Sequence, residues 1–270
     1  MDYKLAVIQH KVGFDKKENM ERAARGIREG VEKEAQIVVL PEMFNCPYAN
    51  DYFPEYAESY PRGETYRFLQ RQATEHGIYL VGGSVPEKEG ESLYNTSFVF
   101  GPDGSLLGRH RKMHLFDINV PGKIYFKESD TLSPGEKITL IDTEFGKIGV
   151  AICYDVRFPE MFRVMALKGV RLVVIPGAFN MTTGPAHWEL LLRARAVDNQ
   201  IYVAAASPSR DTAGVYTAWG HSMIVDPWGE VVVEAGSGEE VLVADIESAQ
   251  IERVRQRLPV YKHLKQELYK

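Results

Sequence analysis

Short apolar runs recur along the whole chain, and two different kinds of segment join them. Some runs lead into stretches with apolar residues at helical spacing, while others return at once through a tight turn. Residues 4–10 alternate into a strand, 15–33 carry Met20, Ala23, Ala24, Ile27 and Val31 at helical spacing, and 37–40 form the next run. The chain therefore opens β-α-β. Residues 62–76 read as a second helix stopped by Gly77. Strands are expected over 78–85 and 94–100, and Pro102-Asp103-Gly104 turns the second back into 105–112. Residues 137–142 and 146–153 make a similar pair around Phe145-Gly146. Helices are expected over 159–168 and 185–199, strands over 172–175, 202–206, 221–225, 231–234 and 241–245, and a last helix from Ser248. Mixing β-α units with hairpins argues for two sheets covered by helices rather than one doubly wound sheet. No linker-like break or repeat of about 20–50 residues divides the chain, so a single domain is expected over residues 1–270.

Three of the apolar runs end in reactive groups. In 146–160, GKIGVAICYDVRFPE, the run 148–152 suits a buried strand, and Cys153 follows at a corner before a proline-marked helix start. A thiol there looks toward the positive end of the following helix, and nearby cations or N–H groups would favour the thiolate, the form that attacks carbonyl carbon. A cysteine after an apolar strand is by itself more readily core filler. In 36–48, QIVVLPEMFNCPY, Pro41 stops the strand and leaves Glu42 at its C-terminal edge, where open α/β sheets bind ligands. In 107–117, LGRHRKMHLFD, Arg109, Arg111 and Lys112 lie at the end of another strand-like segment. An acid, an ammonium and a thiol on three strand ends form a coherent set for acyl transfer. The carboxylate takes the thiol proton, sulfur attacks, and the lysine with a backbone N–H holds the oxyanion.

These stretches, in this order, resemble the glutamate, lysine and cysteine segments of the nitrilase superfamily of carbon–nitrogen hydrolases. Three further runs are similar to its ω-amidase branch: HLFDINVPGKIYFKES (114–129), PGAFNMTTGPAHWELLLRARAVDNQIYV (176–203) and AWGHSMIVDPWGE (218–230). The resemblance covers nearly the whole chain and implies a four-layer α-β-β-α sandwich. It also implies at least a homodimer, with the helix after Cys153 and the tail 259–270 as the expected contact surfaces. For the site it implies Glu42 as general base, Lys112 as oxyanion donor, Cys153 as nucleophile and Glu128 as a second glutamate holding the lysine. The N–H of Tyr154, beside the nucleophile, is the expected second oxyanion donor. The activity implied is release of ammonia from the ω-amide of a dicarboxylic acid, such as 2-oxoglutaramate or 2-oxosuccinamate. A carbamoylase or a nitrilase is the alternative within the fold, and a non-catalytic binding protein on the same scaffold is the alternative of another class.

Substrate choice must come from the remaining lining. Arg157 lies one turn beyond Cys153, and a guanidinium suits bidentate binding of a carboxylate. A salt bridge to Asp155 or Glu160 is the competing reading. Phe179 is expected to pack on the carbon chain, and Thr182, Thr183 and Tyr48 to donate to the carboxylate or keto oxygen. The aromatic, acidic stretch DYFPEYAESY (51–60) reads either as a surface loop or as a pocket wall beside Glu42.

The formal charge of −5 and the shortness of the basic clusters give no reason to expect nucleic acid. No run is long enough to cross a bilayer, and the first ten residues lack the apolar core of a signal peptide, so a cytoplasmic protein without a membrane partner is expected. The two cysteines, Cys46 and Cys153, lack zinc-ligand spacing and are expected reduced, with Cys46 a buried neutral thiol. Nothing in the sequence calls for a metal or an organic cofactor. The histidines His114, His187 and His221 read as hydrogen-bonding loop or helix-end residues.

Overall fold

The computed structural model describes residues 1–120 and 124–268. The stretch 114–129 and the tail 259–270 therefore each lie partly outside the described residues.

Strand β1 (Tyr3–Gln9) leads into α1 (Lys16–Glu32), whose N-cap Asp15 accepts from the N–H groups of Lys17 and Glu18 at 2.8 and 3.2 Å. Such a cap stabilises a helix by about 1 kcal/mol. Gly26 lets α1 lie close on β1, because a Cβ there would stand 2.6 Å from Ile8 Cγ2. Strand β2 (Ile37–Val39) is followed by the short helix α2 (Phe53–Tyr56), the two-residue β3 (Glu58–Ser59) and α3 (Glu64–His76), which Gly77 ends in the left-handed conformation. Phe53 and Tyr56 are buried, Tyr52 is half-buried and Tyr60 is exposed, so the 51–60 stretch packs partly by its own rings, and none of its residues lines the cavity that Glu42 borders.

The expected strand 78–85 is two strands, β4 (Tyr79–Val81) and β5 (Val85–Glu89). Gly82 and Gly83 separate them. Gly83 has φ 55°, and a Cβ on it would meet Pro41 O at 2.1 Å, so the break packs directly against the residue before Glu42. Two hairpin pairings follow, β5 with β6 (Ser92–Phe100) and β6 with β7 (Leu106–Arg111). The small ribbon β8 (Asp117–Val120) with β9 (Ile124–Lys127) has no counterpart in the sequence reading. Then come β10 (Thr139–Thr143), β11 (Gly146–Val150), α4 (Pro159–Leu167), β12 (Val170–Pro176), α5 (Gly184–Asn199), β13 (Tyr202–Ala206), β14 (Met223–Val225), β15 (Val231–Glu234), β16 (Glu240–Ile246) and α6 (Ser248–Arg257).

One sheet runs β16-β1-β2-β4-β6-β5-β3 with β7 also on β6, and the other runs β10-β11-β12-β13-β14-β15. Each has a parallel centre, β1-β2-β4 and β11-β12-β13, with flanks that are antiparallel except for the two-residue edge strand β3, which runs parallel to β5. Because side chains alternate across a strand, each central strand serves two cores. Leu5, Val7, Ile37 and Val39 meet Ile148, Val150, Leu172 and Val174 between the sheets. The alternate residues Ala6, Ile8 and Val38 pack outward on Ala23, Ile27, Leu69 and Ala73 of α1 and α3. Val173, Ile175, Val203 and Ala205 pack outward on Phe162, Trp188 and Leu192 of α4 and α5. The layers are therefore α-β-β-α. Among the described residues no helix is long and apolar enough to cross a membrane.

Candidate active site

Beyond the C-terminal end of β11 the chain stays extended to Ile152 and then turns sharply: Cys153 has φ 47° and begins a 3-10 turn, Cys153–Arg157, with α4 starting only at Pro159. A left-handed conformation at a residue with a side chain costs of order 1–3 kcal/mol and persists where the surroundings enforce it. Here Asp155 supplies the enforcement. Its carboxylate accepts from Ile152 N at 2.9 Å while its own N–H donates to Ile152 O at 3.0 Å, closing the corner on both sides. The same carboxylate takes His114 N at 2.9 Å and lies 2.7 Å from His114 Nδ1 and 3.2 Å from His110 Nε2. These hydrogen bonds hold the Asp155 carboxyl well below the usual range, outweighing the burial that opposes its charge. They also fasten the Cys153 corner to the segment carrying Lys112. His114 accordingly lies within the site's supporting network, and His221 pairs with Glu234 at 2.8 Å.

Lys112 follows β7 directly and is completely buried. Its Nζ lies 3.0 Å from Glu42 Oε1, 2.9 Å from Glu128 Oε1 and 3.4 Å from Tyr48 Oη. Burial opposes the ammonium charge, but Glu128 and Glu42 more than compensate and hold the Lys112 pKa well above the ordinary value. Glu128 opens a 3-10 turn and is itself buried, with Oε1 also accepting from Tyr48 Oη at 2.7 Å and Oε2 accepting from Phe116 N at 2.6 Å.

Glu42 uses Oε1 for Lys112 and for Asn95 Nδ2, the latter at 2.8 Å, while Oε2 has no hydrogen-bond partner. Burial raises the Glu42 pKa, Lys112 pulls it back, and Glu128 adds to the rise. The buried Cys153 thiol is pushed well above its ordinary value, first by burial and then by the Glu42 charge, against the opposing pull of Lys112 and a backbone N–H bond from Ala178. This corrects the sequence expectation of a favoured thiolate. The corner opens a short 3-10 turn and faces the Glu42 carboxylate in a buried site, and burial together with that charge opposes ionisation of the sulfur. The Tyr154 N–H precedes Asp155 N–H, which makes the first i→i+3 bond of the turn, and so belongs to the end of a helix whose donors lack helical partners.

A narrow cleft beside the thiol is lined by Cys153, Tyr154, Arg157, Phe179 and Thr183, with Tyr48, Ala178 and Tyr216 on the opposite wall. Arg157 makes no ion pair with Asp155 or Glu160. Its guanidinium lies over the Phe179 and Tyr154 rings, 5.1 and 5.5 Å from their centroids, and 3.4 Å from His187 Nδ1. Two expected substrate donors fall away. Thr182 is exposed and outside the cleft lining, and the Tyr48 hydroxyl proton is committed to Glu128. Thr183 lines the cleft, with its hydroxyl donating to Asn180 Oδ1 at 3.1 Å. Cys46 is buried, its thiol donates to Pro47 O at 3.2 Å, and burial pushes it up strongly. A second, larger cavity of about 330 Å³ reaches Glu42 from the other side of Tyr48, Ala178 and Tyr216.

Asn95, Ala178 and Tyr216 were not singled out from the sequence. Asn95 left a trace, as a polar residue buried inside the strand YNTSFVF. Ala178 contributes only its backbone, and Tyr216 arrives from a loop after β13, so neither has a local sequence signal.

Two facing sheets sheathed by helices, with a carboxylate, an ammonium and a thiol gathered where their strands end, are the architecture of the nitrilase superfamily. The Carbon-nitrogen hydrolase family model matches residues 4–256, and the chain belongs to that family. It is 57% identical over 267 residues to omega-amidase NIT2-A of Xenopus laevis, spanning 99% of this chain and 96% of that protein. It is 53% identical to omega-amidase NIT2 of Homo sapiens with the same coverage. Its fold matches Saccharomyces cerevisiae Nit3, a member of branch 10 of the nitrilase superfamily, with TM-score 0.89 at 44% identity over 96% of this chain and 95% of that one. An amidase from Nesterenkonia sp. AN1, solved with acrylamide joined by Michael addition at its active-site cysteine, aligns with TM-score 0.77 at 27% identity, covering 95% of this chain and 98% of that one.

Proposed function

We propose that this chain is an ω-amidase: it hydrolyses the terminal amide of a dicarboxylic acid monoamide to the dicarboxylate and ammonia through a thioester on Cys153. The carrying observation is that Arg157, free of any acidic partner among the described residues, lines the same narrow cleft as the thiol. A guanidinium at one end and a nucleophile at the other suit a short chain with a carboxylate at one terminus and an amide at the other. The Phe179 ring lines the same cleft as an apolar wall beneath the guanidinium. Keto acid ω-amides such as 2-oxoglutaramate and 2-oxosuccinamate have this shape.

In the first half-reaction, Glu42 takes the thiol proton as the Sγ–C bond forms. Burial and the Glu42 charge oppose a free thiolate, so proton transfer to Glu42 accompanies attack. The amide oxygen gains charge against Lys112 Nζ and the Tyr154 N–H, donors fixed beforehand by Glu128 and by the 3-10 turn. Glu42 then passes the proton to the nitrogen, the C–N bond breaks and ammonia leaves. Water deprotonated by Glu42 attacks the thioester, and the acid departs as sulfur recovers its proton. A carboxyl whose pKa burial raises above the ordinary carboxylate value is suited to move a proton both ways. Tyr48 acts as a wall and a brace for Glu128.

Two unpaired cysteines support a reducing, cytoplasmic setting. Exposed Val164 and Leu167 on α4 and Leu190 and Val197 on α5 support a homodimer through this helix layer. An ammonia-release screen over glutamine, asparagine, their keto analogues, carbamoyl amino acids and simple nitriles tests the activity. Turnover of the keto ω-amides supports it, whereas carbon dioxide released together with ammonia identifies carbamoyl cleavage instead.

A further inference from the structure

Glu42 stands past the end of β2, outside any helix or strand, and a glutamate carboxylate turns readily about its last bond because that torsion is broad and two-fold. A single ammonium beside it would accept either oxygen. The base needs one oxygen kept open for the travelling proton, and a second donor decides which one that is. Asn95 Nδ2 donates to Glu42 Oε1 at 2.8 Å, the same oxygen that lies 3.0 Å from Lys112 Nζ. Both lone-pair directions of Oε1 are thereby engaged, whereas Oε2 has no hydrogen-bond partner among the described residues.

The strand that carries Asn95 brings it to this place. Neighbouring side chains on β6 point to opposite faces, so Thr96 Oγ1 turns to Glu87 Oε2 at 2.6 Å while Asn95 turns to Glu42. The Asn95 carbonyl accepts from Lys112 N at 2.8 Å, extending the β6-β7 pairing one residue past Arg111. One residue thus sets the backbone of the ammonium with its main chain and the carboxylate of the base with its side chain. Asn95 is completely buried, and its Oδ1 has no partner among the described residues. An apolar side chain would avoid that cost. What the position gains from asparagine is the donor to Glu42.

Resting on Glu42 as the base of the proposed reaction, we propose that Asn95 is a positioning residue: with Lys112 it occupies Oε1, confines the travelling proton to Oε2, and keeps base and ammonium in register. The thiol proton goes to Oε2 as the Sγ–C bond forms, and from Oε2 to the nitrogen as the C–N bond breaks. A water proton then goes to Oε2 as the water oxygen bonds the thioester carbon, and from Oε2 to sulfur as the Sγ–C bond breaks. Each transfer uses the same oxygen, and Asn95 exchanges no proton. Donation from its amide also favours the ionised carboxylate, the form that takes the thiol proton.

The test sets Asn95→Leu, close in shape but without a donor, beside wild type. The substrate is 2-oxoglutaramate or whichever other compound of the ammonia-release screen wild type turns over. The titratable groups facing Glu42, namely Lys112, Glu128, Cys153, Tyr48 and Tyr216, all stay in place. The proposal expects kcat to fall about ten- to a hundredfold, the effect of one lost hydrogen bond to a charged group, with KM little changed. The acid limb of kcat/KM should move to higher pH, because losing a donor favours the protonated carboxyl. In a Glu42→Gln background the leucine exchange should cost no further kcat. Wild-type kcat in the folded variant, an unmoved acid limb, or the same fold-loss with and without Glu42 overturns the proposal. Asn95→Ala gives the same readouts if the leucine variant does not fold. Turnover of some other amide but of no keto ω-amide removes the ω-amidase reading and leaves the Asn95 result standing, whereas turnover of nothing in the screen overturns both.

Discussion

Lys112 and Glu42 form an ion pair with neither side chain reaching solvent, Nζ to Oε1 at 3.0 Å. A pair so buried stabilises little by itself, since desolvation offsets most of the attraction, but breaking it leaves an uncompensated charge in a dry site. Its value is positional: the ammonium cannot leave and cannot easily lose its proton.

Removing the ammonium should therefore harm both stability and rate. Lys112→Ala leaves Glu42 and Glu128 buried together without a cation, and is expected to cost about 3–5 kcal/mol at neutral pH. Loss of one oxyanion donor adds a fall of about 10²–10³ in kcat. The lost stability should return in part as pH is lowered, because protonation then removes the repulsion. Thermal melts of the variant across pH, with kcat measured on folded protein, check both effects.

The Glu42 charge raises the Cys153 pKa, so its removal should have opposite effects on two readouts. Glu42→Gln is expected to lose at least about 10²-fold in kcat for want of the base. With Lys112 still present, however, its thiol titrates lower and should react faster with iodoacetamide near neutral pH than the wild-type thiol does. Alkylation rates at Cys153 across pH, read by mass spectrometry, give the sign. A slower variant thiol would contradict the electrostatics described.

Asp155 offers a pH test of stability. Its folded-state carboxyl is depressed, so its contribution is complete above the ordinary value near 3.9 and is lost as pH falls through the folded value. Asp155→Asn should lose a few kcal/mol at pH 7, as expected for a buried hydrogen-bonded charge, and the difference from wild type should shrink progressively below about pH 4.

The ends of strands were legible in the sequence because each reactive residue follows an apolar run. Glu42 follows Pro41, Lys112 ends a hairpin, and Cys153 ends a β-branched stretch. The mixture of β-α units and hairpins likewise carried the two-sheet architecture, with alternation in residues 4–10 and continuous apolar runs at β2, β11 and β12. Glu128 was reached only through family resemblance, since its own neighbourhood, KESD, reads as an exposed turn. The break at Gly82-Gly83 was missed because apolar residues flank it on both sides, and its cause is a tertiary contact with Pro41 O. Tyr48 and Thr182 were misassigned for a related reason. A hydroxyl's partner is set by the fold, and nothing in the local sequence announces that Glu128 takes the Tyr48 proton.

Arg157→Ala should separate charge recognition from chemistry. KM for a carboxylated amide is expected to rise about 10-fold or more, while KM for a neutral amide of the same length changes little. Parallel steady-state measurements on the two substrates suffice. Equal changes would remove Arg157 as the carboxylate partner.

The most direct measurement is of the thioester itself. Enzyme mixed with 2-oxoglutaramate, quenched in acid within a turnover and digested, should show the acyl mass on the peptide containing Cys153, none on that containing Cys46, and none anywhere in Cys153→Ser. Turnover by wild type with no acyl mass on Cys153, or undiminished turnover by the Cys153→Ser variant, would contradict the account.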